Sequence, residues 1–235
     1  MEKQIEKPFG LTECKDDVLY RRTINQYMYW YHCPFGTAGL SKDDKRRATQ
    51  LFKRPLTDSD RKTADSMIET AVDKFARNGI INFSDFNLIL AVPSSSKTVS
   101  KTLKSIVKCV YPDTDVIYNA IDKTRVRNLK LVDEQLSSEN SEKTKRLVPK
   151  CLFDVRRKHY DKVSKMHFVP TRFRRYFTNF FTWNKHFSTN EYQGRDVLIV
   201  DDTYGEGITF RDVLWMVERD LKPRSVCGFA VMRDM

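Results

Sequence analysis

The stretch VLIVDDTYGEGITF, residues 197 to 210, runs four apolar residues into two adjacent carboxylates, Asp201 and Asp202, and then into a glycine-containing turn that closes on Thr209. Side by side at a strand terminus, two like charges repel and must stay solvated, so folding alone gives little reason to place them there. A polyol or a metal ion supplies one. Two carboxylates just before the turn can accept hydrogen bonds from the vicinal hydroxyls of a ribose, or hold a hydrated magnesium ion. The backbone amides of Gly205, Glu206, Gly207, Ile208 and Thr209, opening the next helix, can hold a phosphate. One loop can therefore read a 5-phosphoribosyl group.

Such chemistry needs a buried strand that ends on the acids and a helix that begins after the glycines, and the surrounding text supplies both. The helix is expected over about Ile208 to Leu221, followed by a final strand in SVCGFAVMRD. Upstream, LTDSDRKTADSMIETAVDKFARNG reads as a capped amphipathic helix. Thr57, Asp58 or Ser59 offers the N-cap, Ala64, Met67, Ile68, Ala71, Val72 and Phe75 form the stripe, and Asn78-Gly79 ends it. FNLILAVP is a short apolar run stopped by Pro93. SSSKTVSKTLKSIVKCV then has helical spacing at Val99, Leu103, Ile106, Val107 and Val110, and DVIYNAI is a second buried-strand run. This is a βαβ unit.

Between the second strand and the acidic one, residues 123 to 150 are polar and centred on SSENSEKTK, which predicts a mobile loop or hairpin rather than core. From Phe168 to Phe187, aromatics at 173, 177, 180, 181 and 187 recur at roughly helical spacing and predict an aromatic helix that packs as core. The resulting expectation is an α/β chain with a doubly wound, mostly parallel sheet and helices on both faces. Residues 1–87 would be an N-terminal extension or hood and residues 88–235 the core, interrupted by the 123–187 insertion. At 235 residues with 40% hydrophobic content the chain can bury such a core.

Charge is concentrated rather than spread. Of a net +11, residues 123 to 175 hold sixteen Lys and Arg against six Asp and Glu, so one segment can steer a polyanion, whether nucleic acid or a phosphorylated small molecule. The five cysteines show no CxxC pair and suit reduced thiols in a cytoplasmic protein better than disulfides or structural zinc. The four histidines lack ligand spacing. No apolar run approaches the length of a membrane span, and MEKQIEKPFG has no secretory pattern.

The pattern V-L-I-V-D-D followed by x-x-x-x-G-x-T resembles the binding signature of the type I phosphoribosyltransferases, whose substrate is 5-phosphoribosyl-1-pyrophosphate (PRPP). LILAVPSSSK matches the place of that family's pyrophosphate loop, and the charged insertion matches its flexible active-site loop. The layout is most similar to the competence-protein (ComF) branch, over about residues 60 to 235. The resemblance implies that Asp201 and Asp202 bind the ribose hydroxyls with Mg2+, that Thr203, Tyr204 and the residues from Gly205 to Thr209 bind the 5-phosphate, and that Ser94, Ser95, Ser96 and Lys97 bind pyrophosphate. Arg125, Arg127 and Lys130 would supply cations to the leaving group. The implied activity is a glycosyltransferase reaction of the phosphoribosyltransferase type on an unidentified acceptor.

Two positions depart from the family. Gly205 stands where purine-specific members carry a carboxylate, so a purine acceptor is not implied. Glu206 stands where Thr or Ser is usual and sets a negative charge beside a phosphate, at a cost of about 1 kcal/mol at an effective dielectric near 20. The acceptor pocket is expected from residues 1–87, where Tyr27, Tyr29, Trp30, Tyr31 and Phe35 either stack on a base or pack as core. Two other classes fit the same text: a regulatory protein that binds a phosphoribosyl group or nucleotide without transfer, and a nucleic-acid-binding or nucleic-acid-modifying protein using the basic segment.

Overall fold

The computed structural model describes residues 12–13, 22–24, 27–32, 35–36, 41–53, 57–79, 81–94, 97–204 and 207–233. Short strands β1 (Thr12–Glu13), β2 (Arg22–Ile24), β3 (Tyr27–His32) and β4 (Phe35–Gly36) precede helices α1 (Lys42–Lys53) and α2 (Asp58–Arg77). Then come β5 (Leu88–Ala91), α3 (Thr98–Ile106), β6 (Asp115–Ile117), β7 (Ile121–Lys123), β8 (Lys130–Leu131), α4 (Asp133–Ser137) and α5 (Glu142–His159). The chain continues through β9 (Phe177–Thr178), β10 (Phe181–Trp183), β11 (Asp196–Tyr204), α6 (Ile208–Leu221) and β12 (Ser225–Arg233).

Capping and periodicity account for α2. Thr57 is the N-cap, its hydroxyl accepting from the Asp60 N–H at 3.0 Å while the Asp60 carboxylate accepts from the Thr57 N–H at 3.1 Å, which satisfies two of the helix's orphan donors. The six residues of the expected stripe are the six that are buried, and Gly79 at φ 65° turns the chain out after Asn78.

The main sheet runs β6, β5, β11, β12 through parallel pairings, and β3 and β4 both lie parallel along the far side of β12. Chain order therefore reverses at β5, which is flanked by β6 on one side and β11 on the other. Leu88, Ile89 and Leu90 are fully buried, as a central strand covered on both faces requires. Alternation divides the core. Leu88, Leu90, Val197, Ile199 and Ala230 pack with α6 and the insertion, whereas Ile89, Ala91, Leu198, Val200 and Phe229 pack with α1, α2 and α3. Truncating such a residue, Ile199→Ala for example, would cost about 2–5 kcal/mol.

Four expectations are corrected. DVIYNAI is not one strand: β6 ends at Ile117, the chain turns at Tyr118 and Asn119, and β7 leaves the main sheet to pair antiparallel with β10. The α3 helix stops at Ile106, and Val107 lies in a 3-10 turn, 45% exposed. Residues 123 to 150 are not a loop without core. Val126, Leu129, Val132 and Val148 are buried, and α5 is capped by Ser141, whose hydroxyl accepts from the Thr144 N–H at 3.2 Å. Leu147, Val148, Cys151, Leu152 and Val155 give that helix an apolar stripe at helical spacing, which outweighs its charge. The aromatic run after Phe168 is not an α-helix. It forms 3-10 turns and then β9 and β10, joined through Asn179 at φ 67°, and β9 pairs with β8. Phe and Thr favour strands, and Asn tolerates the left-handed turn. The expectation that these aromatics are core holds, since Phe173, Phe177, Phe180 and Phe181 are buried.

Candidate functional site

Ligands of open α/β sheets bind beyond the carboxyl ends of the strands where strand order reverses, which here is the crevice between β5 and β11. β5 stays paired to its end, with Val200 in register with Ala91 and the Val92 N–H donating to the Val200 carbonyl at 2.9 Å, whereas β11 continues through Asp201 and Asp202 to Tyr204 along β12. Pro93, which has no N–H, then releases the chain from the ladder. Ser94 follows, and its hydroxyl donates to Asp202 Oδ2 at 2.5 Å. Residues 108 positions apart are thereby joined at one strand end.

Both acids are only 6% exposed, so the expectation that they stay solvated is corrected. Asp201 Oδ1 accepts from the Asp202 N–H at 2.7 Å. One residue on, Thr203 Oγ1 is buried and makes no hydrogen bond among the described residues, the kind of unsatisfied group that a ligand or water completes.

Gly207 is the N-cap of α6 at φ 73°, a left-handed conformation that favours glycine. The Arg211 N–H returns to the Gly207 carbonyl at 2.9 Å, and the amides of Ile208 and Thr209 lie in the first turn, where N–H groups have no intrahelical acceptor. The Ile208 side chain is in the core, leaving its backbone N–H as the group a ligand could meet. Thr209 is partly exposed. Lys97 is exposed at the start of α3, where Thr98 Oγ1 donates to the Phe52 carbonyl and ties that turn to α1. Ser95, Ser96, Gly205 and Glu206, and the Tyr204 side chain, lie outside the described residues, as do the side chains of Tyr27, Tyr29, Trp30, Tyr31 and Phe35.

The three expected insertion cations have the following surroundings. Arg125 donates to the Asp161 carbonyl, Arg127 forms an ion pair with the Asp161 carboxylate at 2.9 Å, and Lys130 is exposed on β8. Sequence reasoning missed a cavity of about 300 Å³ beside the Gly207 turn. Gln135 and Glu139, Arg175 and Tyr176, and Gly207 and Arg211 line three of its sides. Glu139 Oε2 accepts from Arg175 at 2.7 Å and from the Tyr176 hydroxyl, and Oε1 accepts from the Ser141 N–H at 3.0 Å. The Tyr176 hydrogen bond, followed by the Ser141 amide, holds the Glu139 carboxyl below its usual range. Burial pushes the Tyr176 phenol up.

Arg211 is buried, donates to the Arg175 carbonyl at 2.7 Å and to the Phe177 carbonyl, and lies 4.9 Å over the Trp215 ring. Its neighbour Asp212 accepts from the Phe180 N–H and from Thr178 Oγ1, both at 2.8 Å, and burial raises its pKa. This Arg-Asp pair clamps the insertion to α6. Two charges inside the otherwise apolar run ITFRDVLWMV are the signal from which the clamp could have been read.

A metal would meet oxygen donors here. Asp201 and Asp202 are acceptor-only when ionised, and Mg2+ keeps several waters and takes one or two carboxylates together with substrate phosphates, so the donor set fits that ion. Among the described residues, no three His, Cys, Asp or Glu side chains form a cage, and no helix is long and apolar enough to cross a membrane. Comparison with models of known protein families and with curated proteins finds no match for this chain.

Proposed function

We propose that the crevice at the ends of β5 and β11 binds the 5-phosphoribosyl group of PRPP and transfers it to a nitrogen or oxygen acceptor, with release of pyrophosphate. The observation that carries this reading is the Ser94–Asp202 hydrogen bond. It joins the turn expected to meet pyrophosphate to the acid expected to meet the ribose, as one ligand carrying both groups requires.

In this reading the Asp201 and Asp202 carboxylates accept hydrogen bonds from the ribose hydroxyls and fix the ring. The first-turn amides of α6 take the 5-phosphate, and the Ser94 turn faces the pyrophosphate. The bond from C1 of the ribose to pyrophosphate breaks as the acceptor's lone pair forms a new bond to C1, and the acceptor gives up its proton to the medium. Two buried carboxylates beside the ring favour the oxocarbenium character that develops at C1. Mg2+, bound with the substrate, would neutralise charge on the leaving pyrophosphate. Calorimetry with PRPP, with and without Mg2+, tests the donor site, and a screen of bases for pyrophosphate release tests transfer. Absence of PRPP binding in both conditions overturns the reading.

A second reading has its own observation. Arg125 and Arg127 are held by Asp161, which favours a protein that binds the phosphoribosyl group without discharging pyrophosphate. PRPP binding with no pyrophosphate release from any acceptor would select it.

A further inference from the structure

The local charge excess acquires a shape in α5. Lys143, Arg146, Lys150, Phe153, Arg157 and Tyr160 follow one another at three- and four-residue steps, which on a helix is a single stripe. All six are exposed, Phe153 by 64% and Tyr160 by 55%. The opposite side of α5 is consumed by the core through Val148 and Val155, so the stripe faces outward because the fold needs the other face.

Its charges are mostly not spent on the protein. Lys143, Arg146 and Lys150 make no ion pair among the described residues, and Arg157 has only a 3.6 Å contact with Asp154. The other acid on the helix, Glu142, is engaged by Lys145 at 3.1 Å. The exposed Lys162 and Lys165 extend the basic surface beyond the helix. The exposed Phe153 ring sits between Lys150 and Arg157, about one helical turn from each.

We infer that the outer face of α5 is a binding surface for single-stranded nucleic acid: Lys143, Arg146, Lys150 and Arg157 neutralise backbone phosphates, while Phe153 and Tyr160 stack on unpaired bases. Cations alternating with aromatic rings are what such a strand requires, since every base offers a π-face and every nucleotide a negative charge. The stripe spans roughly 25 Å and begins four residues after Glu139, on the rim of the cavity beside the Gly207 turn. A membrane fits less well, because the apolar side of α5 that would enter lipid is in the core. The surface stands independently of the PRPP reading.

The test is fluorescence anisotropy with a labelled twenty-nucleotide single strand, the same sequence as a duplex, and phosphatidylserine vesicles, using the full chain. The wild type should bind the single strand most tightly, with affinity falling steeply with salt. Lys143→Gln, Arg146→Gln and Lys150→Gln combined should weaken binding at least tenfold and flatten the log–log salt slope by about 2, at about 0.7 per phosphate contact. Phe153→Ala with Tyr160→Ala should weaken single-strand binding about tenfold and leave that slope unchanged. A control triple, Lys42→Gln, Lys62→Gln and Lys104→Gln, removes the same charge from exposed positions on the other helices and should cost less than threefold. Equal losses in the control and the stripe variant, an unaffected aromatic double variant, equal affinity for duplex, or binding to vesicles in place of the oligonucleotide would each overturn the assignment.

Discussion

The two ends of β11 carry the same residue type and put it to different use. At the amino end, Asp196 is closed off by the protein. Arg224 Nε lies 3.0 Å from both of its oxygens, a second guanidinium nitrogen also donates, and the Ser225 hydroxyl donates at 2.8 Å. Its own N–H goes to Asn87 Oδ1 at 2.9 Å. This acid is a staple joining the starts of β11 and β12. At the carboxyl end, five residues on, Asp201 and Asp202 meet a hydroxyl and a backbone amide at a point where strand order reverses and a helix N-terminus begins. A carboxylate bound by a guanidinium fork has its acceptor capacity used. At the crevice, Asp202 instead meets the hydroxyl of Ser94 from the turn after β5.

The largest expected effect tests that contrast directly. Asp201→Asn with Asp202→Asn should weaken magnesium-dependent PRPP binding by roughly 100-fold or more, since two hydrogen bonds to charged acceptors are worth about 3 kcal/mol or more. The Tm should move by less than about 3 °C. Calorimetry and thermal melts of the same preparation check both halves, and unchanged affinity in a folded variant would remove the ribose assignment.

Asp196→Asn should do the converse, lowering Tm by roughly 3 °C while leaving PRPP affinity within twofold. The effect is modest because the Arg224 side chain is 70% exposed and screened by solvent. The same variant carries a pH signature. Hydrogen bonds from Arg224 hold the Asp196 carboxyl below its ordinary value, so its stabilisation is complete above the unfolded carboxylate pKa of about 3.9 and is lost as pH falls through the lower native value. Acid melts of Asp196→Asn should therefore converge on those of the wild type at the lowest pH, and a constant gap at all pH values would argue against the staple.

Ser94→Ala removes one hydrogen bond to Asp202 and should weaken PRPP binding by about threefold to tenfold, with Tm nearly constant. A larger loss of stability than of affinity would make Ser94 part of the fold rather than of the site. Smallest is Glu206→Thr, which should tighten PRPP binding a few-fold, on the order of 1 kcal/mol, with the gain shrinking at high salt. Weaker binding would mean that Glu206 reads a ligand group itself.

Legibility followed locality. The cap, stripe and end of α2, the strands at Leu88 and Val197, and the bounds of α6 all rest on interactions within a few residues, and text alone located them. The acidic pair and its turn were legible for the same reason. Within the expected loop of residues 123 to 150, the first half of α5 was hidden by its local charge, although the apolar stripe that continues to Val155 is present in the text. The aromatic run was misread because the Asn179 turn and the pairings with β7 and β8 are supplied by residues some fifty positions away.

What the linear text determined, then, is where the acids, the glycine turn and the central strands lie, since strand ends, caps and apolar runs are set by near neighbours. Four things waited for the tertiary structure. It buried Asp201 and Asp202, set Ser94 against Asp202 across 108 positions, and built a cavity beside Gly207 from the insertion and the start of α6. It also bound Arg125 and Arg127 to Asp161. Each of these depends on which distant backbone a side chain reaches, and that is decided by parallel pairing and by the packing of two faces of one sheet, neither of which is encoded in the spacing of residues along the chain.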